Sequence, residues 1–192
     1  MTPQSKADRL PPLSEEQCSP KQLEVIRELL NGPRTKFRGP FVPLLRSPEL
    51  LSRLQKVGEY LRFNNAIGFK NSEFAVLLVA RYWTQPIEWH IHHALALDAG
   101  VNAETVESIS QGCRPKTMTL EETAIYEFIQ ELQSNKCVSD ATWGNAKELF
   151  GEQGVIDMIA HCGYYSLMAM VMNACRTALP DGVNSELISF PF

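Results

Sequence analysis

Several common signatures are missing from this 192-residue chain, and each absence removes a class of function. There is no CxxC pair: Cys18, Cys113, Cys137, Cys162 and Cys175 are scattered, and five is an odd number. That pattern excludes a disulfide scaffold and reads as reduced thiols in a cytoplasmic protein. No run of Lys or Arg occurs, and the formal net charge is −4. Nucleic acid and membrane surfaces are therefore not expected as partners. A Gly-rich phosphate loop, a G-x-S-x-G elbow, a dinucleotide fingerprint and an HExxH motif are all lacking. Residues 1–16 are polar and proline-containing, without the apolar core of a signal peptide. No convincing period-2 stretch suggests a strand. Met158 to Cys175 has no Asp, Glu, Lys or Arg, but His161, Gly163, Tyr164, Tyr165 and Asn173 lower its hydropathy. Eighteen residues lie at the lower edge of a membrane span, so this segment is read as a buried helix.

What remains is helical punctuation. Ser19-Pro20 and Ser47-Pro48 each pair an N-cap residue with proline at the first helical position. The first opens a helix that Gly32-Pro33 ends, and the second opens one that Asn64-Asn65 and Gly68 end. Between them, residues 33–47 read as a loop that wraps the core through Phe37, Phe41, Leu44 and Leu45. Asn71 or Ser72 is expected to cap a central helix, with Phe74 to Tyr82 apolar almost all round. Pro86 starts the next, which stops at Gly100, and Asn102 caps a short one. Thr119 and Glu122 form a capping-box pattern. Ser139 opens a helix that Gly151 closes, and a long helix to about Ala178 follows. The fold class is all-α, with about eight helices. Residues 1–19 read as a flexible lead-in, 20–182 as one domain and 183–192 as a tail, and 44% hydrophobic content suits a real core.

Chemistry concentrates in Gln85-Pro86-Ile87-Glu88-Trp89-His90-Ile91-His92-His93, which holds three of the four histidines. Glu88 and His92 are four apart and share a helix face. A carboxylate–imidazole pair of this kind fixes a tautomer and raises basicity, which suits acid–base work near neutral pH. It can equally be a satisfied buried contact. Glu73, on the preceding helix, can approach the same region across the tight turn. Arg81 ends an apolar helix nearby and calls for an anionic partner, either Glu88 or a substrate carboxylate; Arg38 and Arg46 are looser candidates. Trp83, Trp89, Tyr82, Tyr164 and Tyr165 suit either core or pocket wall. His90 and His93 point away from His92 by helical geometry. No metal site is expected, because Glu88, His92 and distant His161 would converge only by coincidence.

The order of these features resembles the carboxymuconolactone decarboxylase and alkylhydroperoxidase-D-like superfamily, which implies a compact multi-helix orthogonal bundle of the alkylhydroperoxidase-D-like type. The resemblance rests on Glu73 opening an apolar helix, then Glu88-Trp89-x-x-His92, then Ala96 and Gly100, and it covers most of residues 35–182. Peroxidase-like members carry E-x(11)-C-x-x-C-x-x-x-H. Glu73 and His92 match its ends, but Gln85 and Glu88 stand at the cysteine positions, so dithiol chemistry lacks its sulfurs. The resemblance therefore implies the decarboxylase-like branch: a cofactor-free lyase acting on a small carboxylated lactone or related organic acid. An isomerase on the same Glu–His pair and a non-catalytic oligomeric binding protein are the alternatives. On the lyase reading, His92 transfers the proton, Glu88 orients it and Glu73 lies behind. Arg81, Trp89, His93 and Gln85 would contact substrate. The resemblance also implies a homo-oligomer, trimeric or hexameric, with a dimer as the alternative.

Overall fold

The computed structural model describes residues 7–33, 36–185 and 187. Among them are eight α-helices and one 3-10 turn, with no strand. The helices are α1 (Pro20–Asn31), α2 (Phe41–Leu44), α3 (Pro48–Phe63), α4 (Phe69–Tyr82), α5 (Pro86–Asp98), α6 (Ala103–Ser110), α7 (Leu120–Asn135) and α8 (Asp140–Cys175). The all-α expectation holds.

Helix α4 is the centre, packed against α5, α7 and α8. The reason lies in its composition: every residue from Ser72 to Arg81 is buried. Phe74, Val76, Leu77, Leu78 and Val79 contribute roughly 2 kcal/mol each on leaving water, about 10 kcal/mol before chain entropy. That gain is large enough to carry a carboxylate, Glu73, fully out of water on the same helix, provided the charge is paired.

Local signals set most helix ends. The Ser19 and Thr119 hydroxyls accept from Gln22 N and Glu122 N, and both capping boxes close. Asn102 and Ser139 cap α6 and α8 in the same way. At the end of α4 the chain turns through Thr84, held at φ 46°. Gln85 N donates to Ala80 O at 2.9 Å and Thr84 N to Arg81 O at 3.0 Å, the paired bonds of a Schellman ending. This turn fixes α5 against α4 and so sets Glu73 opposite His92.

Four details differ from the sequence reading. Helix α4 starts at Phe69, because Gly68 at φ 83° makes the turn; Asn71 Nδ2 donates back to Ile67 O, and Ser72 is buried inside the helix. Residues 41–44 form a helical turn within the expected loop, closed by Leu45 N to Phe41 O at 3.0 Å. Gly151 does interrupt the helical backbone, with φ 67° and ψ 179°, but the helix resumes within Asp140–Cys175 and ends three residues before Ala178. The lead-in is tied down from Asp8 onward. Arg9 N donates to Cys175 O at 2.8 Å, Ala178 N to Asp8 Oδ2 at 3.4 Å, and Arg46 Nη2 to Pro11 O. Of the tail expected at 183–192, residues 186 and 188–192 lie outside the described residues, and Leu187 is buried.

Among the described residues only α8 is long and apolar enough to cross a membrane, and 56% of its most apolar window is buried within the fold. Met158, His161, Cys162, Tyr164, Tyr165, Met168 and Met172 all face inward, as a core helix requires. Asp157 anchors it, accepting from Ala66 N at 2.7 Å and from the Tyr60 hydroxyl at 3.1 Å.

Candidate active site

The site is built where α4, α5 and α8 meet the end of α3. His92 is buried and lies between two carboxylates. Its Nδ1 is 2.5 Å from Glu73 Oε2, and its Nε2 is 3.3 Å from Glu88 Oε2. Both acids are buried as well. Burial alone disfavours a charged imidazole, but the adjacent Glu73 and Glu88 carboxylates outweigh it and push His92 up to about 9. At neutral pH it is an imidazolium, with an N–H donated to each acid.

This geometry orders the two carboxylates differently from the sequence reading. Glu73 holds Nδ1 from the interior and orients the ring. Glu88 sits with the Nε2 edge on the wall of a cleft of about 330 Å³, and His92 lines the same cleft. The cleft's other walls come from Phe41, Arg62, Tyr165 and Met168, with Lys36 and Arg38 at the rim. Tyr165 meets His92 edge-on, with ring centroids 5.2 Å apart.

Arg62 was not legible as a site residue. Its Nε lies 3.7 Å from Glu73 Oε1, and among the described residues neither of these buried atoms has a hydrogen-bond partner. The guanidinium sits over the Phe63 ring at 5.3 Å and borders the cleft. The one signal available was helical register. Arg62 continues the Leu51, Gln55, Gly58 line, and those three residues are buried on α3.

All four expected substrate contacts lie elsewhere. Arg81 is buried but borders a separate hollow with Leu78, Tyr82, Ile109, Cys113 and Tyr126, on the side of α4 towards α6 and α7, and does not line the His92 cleft. Gln85 is the N-cap of α5: its Oε1 accepts from Ile87 N at 2.6 Å and its Nε2 donates to Asn173 Oδ1 at 2.8 Å. Trp89 is core, 1% exposed, and His93 packs on its ring at 5.9 Å. Neither Trp89 nor His93 borders the cleft. Of the looser candidates, Arg38 reaches the rim, while Arg46 is spent on the carbonyls of Val42 and Pro11.

His161 serves the scaffold. Its Nδ1 donates to Asp157 O at 2.7 Å, so Nε2 accepts from the Ser72 hydroxyl at 2.8 Å. Burial lowers its pKa, which keeps it neutral. It stacks on the far side of the site against Tyr165, with centroids 6.2 Å apart. Among the described residues no three His, Cys, Asp or Glu side chains form a metal-ligand set, and both ring nitrogens of His92 are already engaged by carboxylates.

No protein-family model matches the chain, and no curated protein matches its sequence.

Proposed function

We propose that this protein is a cofactor-free acid–base enzyme acting on a small organic acid, a decarboxylase of the carboxymuconolactone decarboxylase-like kind. The observation that carries the reading is the buried Glu73–His92–Glu88 array, whose Nε2 edge opens on a cleft rimmed by Lys36, Arg38 and Arg62. Cations suit a substrate carboxylate, and an imidazolium beside them is a proton donor already charged.

In the proposed step the substrate carboxylate leaves as carbon dioxide, and its bonding electron pair passes into the neighbouring carbonyl as an enolate. His92 Nε2–H then donates its proton to the carbon, and solvent restores the imidazolium. One carboxylate and one proton become one C–H bond and one carbon dioxide. Arg62 takes the carboxylate-binding role first assigned to Arg81, since it borders the cleft and forms no side-chain hydrogen bond among the described residues. Phe41 and Met168 offer the departing gas an apolar wall. Glu88 at the second cysteine position of redox relatives, and Gln85 at the first, leave no dithiol for peroxidase chemistry.

A second reading, isomerisation, is favoured by one feature: Glu88 and His92 Nε2 line the cleft side by side, as a proton acceptor and a donor would. Five unpaired thiols support a reducing, cytoplasmic setting. The exposed Ile156, Ile159 and Met170 on α8 support assembly as a homo-oligomer, a trimer or hexamer in this reading. The test is a panel of small carboxylated lactones and 3-oxo acids, followed by ¹³C NMR. Release of carbon dioxide that falls about 10²- to 10⁴-fold in a His92→Asn variant supports the lyase. Rearranged product without carbon dioxide selects the isomerase, and no turnover of any acid removes both.

A further inference from the structure

A second hollow, of about 320 Å³, adjoins the His92 cleft. The two share Arg38 and Ile91 in their walls, so they lie on either side of the short irregular stretch 36–39. Their chemistry differs. The His92 cleft is lined by Lys36, Arg38 and Arg62, and its one acid among the described residues, Glu88, is paired with His92. The second hollow is walled by Phe37, Val42, Ile87, Ile91, Leu179 and Pro180, and the acids on it are Asp8 and Asp181. Asp8 is already committed to the backbone N–H groups of Leu10 and Ala178. Arg38, exposed between the two, forms no hydrogen bond or ion pair among the described residues. Its long side chain is free to swing toward an anion in the cleft.

From this division we infer that the ligand is bipartite: a carboxylate head held in the His92 cleft and an apolar chain of several carbons running past Arg38 and Ile91 into the second hollow. The orientation follows from charge. An anionic head placed in the second hollow would face Asp8 and Asp181 with Arg38 as the cation beside them, whereas in the first it faces Lys36, Arg38 and Arg62, and the acid there, Glu88, is paired with His92. The apolar walls in turn reward methylene groups, each worth roughly a three- to fourfold gain in affinity on burial. The inference rests on the carboxylate-site reading above and adds the class of substrate, a medium-chain acid or an acid with an apolar substituent of that length. Gly39, at φ 61°, makes the turn that lets the 36–39 stretch pass between the hollows; a Cβ there would touch Ile87 and Ile91 at 3.5 and 3.8 Å.

The histidines make the test readable, because His92 lines the first hollow and His90 the second. Ring ¹H–¹³C spectra of the full chain are recorded during titration with butyrate, hexanoate, octanoate and decanoate below their micelle concentrations. Butyrate should shift His92 and leave His90 in place. Decanoate should shift both, and affinity should rise roughly tenfold for each two carbons added. An Ala178→Trp variant, which fills the second hollow, should flatten that series. Affinity independent of chain length, or a His90 signal unmoved by decanoate while His92 responds, would overturn the bipartite ligand and leave the carboxylate site standing. A His92 signal that responds to none of the acids would overturn the carboxylate site and this extension together.

Discussion

Replacing Glu73 with Gln removes one charge and leaves the shape nearly unchanged, so it isolates the pairing that holds His92 as an imidazolium. The ring's ordinary value is 6.5, and in the fold it stands at about 9. A shift of that size corresponds to about 3 kcal/mol of preference for the charged form. The sign follows from linkage. The folded state holds the proton more tightly than the unfolded chain does, so the contribution is complete below pH 6.5 and disappears as pH rises through 9. Wild-type protein should therefore lose roughly 3 kcal/mol of stability from this group between those limits. With Glu73→Gln the loss of the nearest carboxylate leaves burial to dominate, and His92 should drop well below 9 and titrate near or below neutrality. The variant should be weaker than wild type by about 3 kcal/mol at pH 6, and the gap should narrow towards pH 10. Urea unfolding at a series of pH values, with the difference between the two proteins plotted against pH, reads this directly. A difference that stays constant from pH 6 to 10 would refute the reasoning.

Other substitutions separate site from scaffold. Arg62→Leu should weaken binding of small carboxylates by about 10- to 100-fold, the value of a charge-assisted hydrogen bond, measured by titration of the His92 ring signal. Gln85→Ala should cost about 1 kcal/mol of stability through the lost cap of α5, read by urea unfolding, since its side chain binds Ile87 N and Asn173 and not the cleft. Thr84→Asn should stabilise the protein by about 0.5–1 kcal/mol in the same assay, because asparagine tolerates the left-handed backbone better than a β-branched residue.

The helices were legible because their ends are written in local chemistry. Ser19-Pro20, Ser47-Pro48, Asn102, Thr119 with Glu122, and Ser139 all precede helices as a reader of the sequence would place them. The start of α4 was misplaced because Asn71 and Ser72 are good caps in isolation, while the structure uses Gly68 and turns Ser72 inward to His161. The Glu88–His92 pair was visible from spacing on one helix, and Glu73 from the tight turn between α4 and α5. Which carboxylate faces the cleft was not, since that depends on how α5 rotates against α4. Arg81 and Arg62 illustrate the same limit. Both are arginines near an apolar helix end, and only the packing of α3 against α4 and of α4 against α6 and α7 decides which one meets the cleft. Gln85 stood out by its position beside the histidines, yet its amide is consumed by the backbone it caps.

The measurement that bears most directly on the proposed chemistry is where solvent hydrogen ends up. Turnover of the best acid from the panel, run in D₂O and followed by ¹³C and ²H NMR, should give a product with one deuterium on the carbon that lost carbon dioxide. A His92→Asn variant should form that product at least a hundredfold more slowly. Product with no solvent deuterium at that carbon, or equal rates for wild type and variant, would contradict the assignment of His92 as the proton donor.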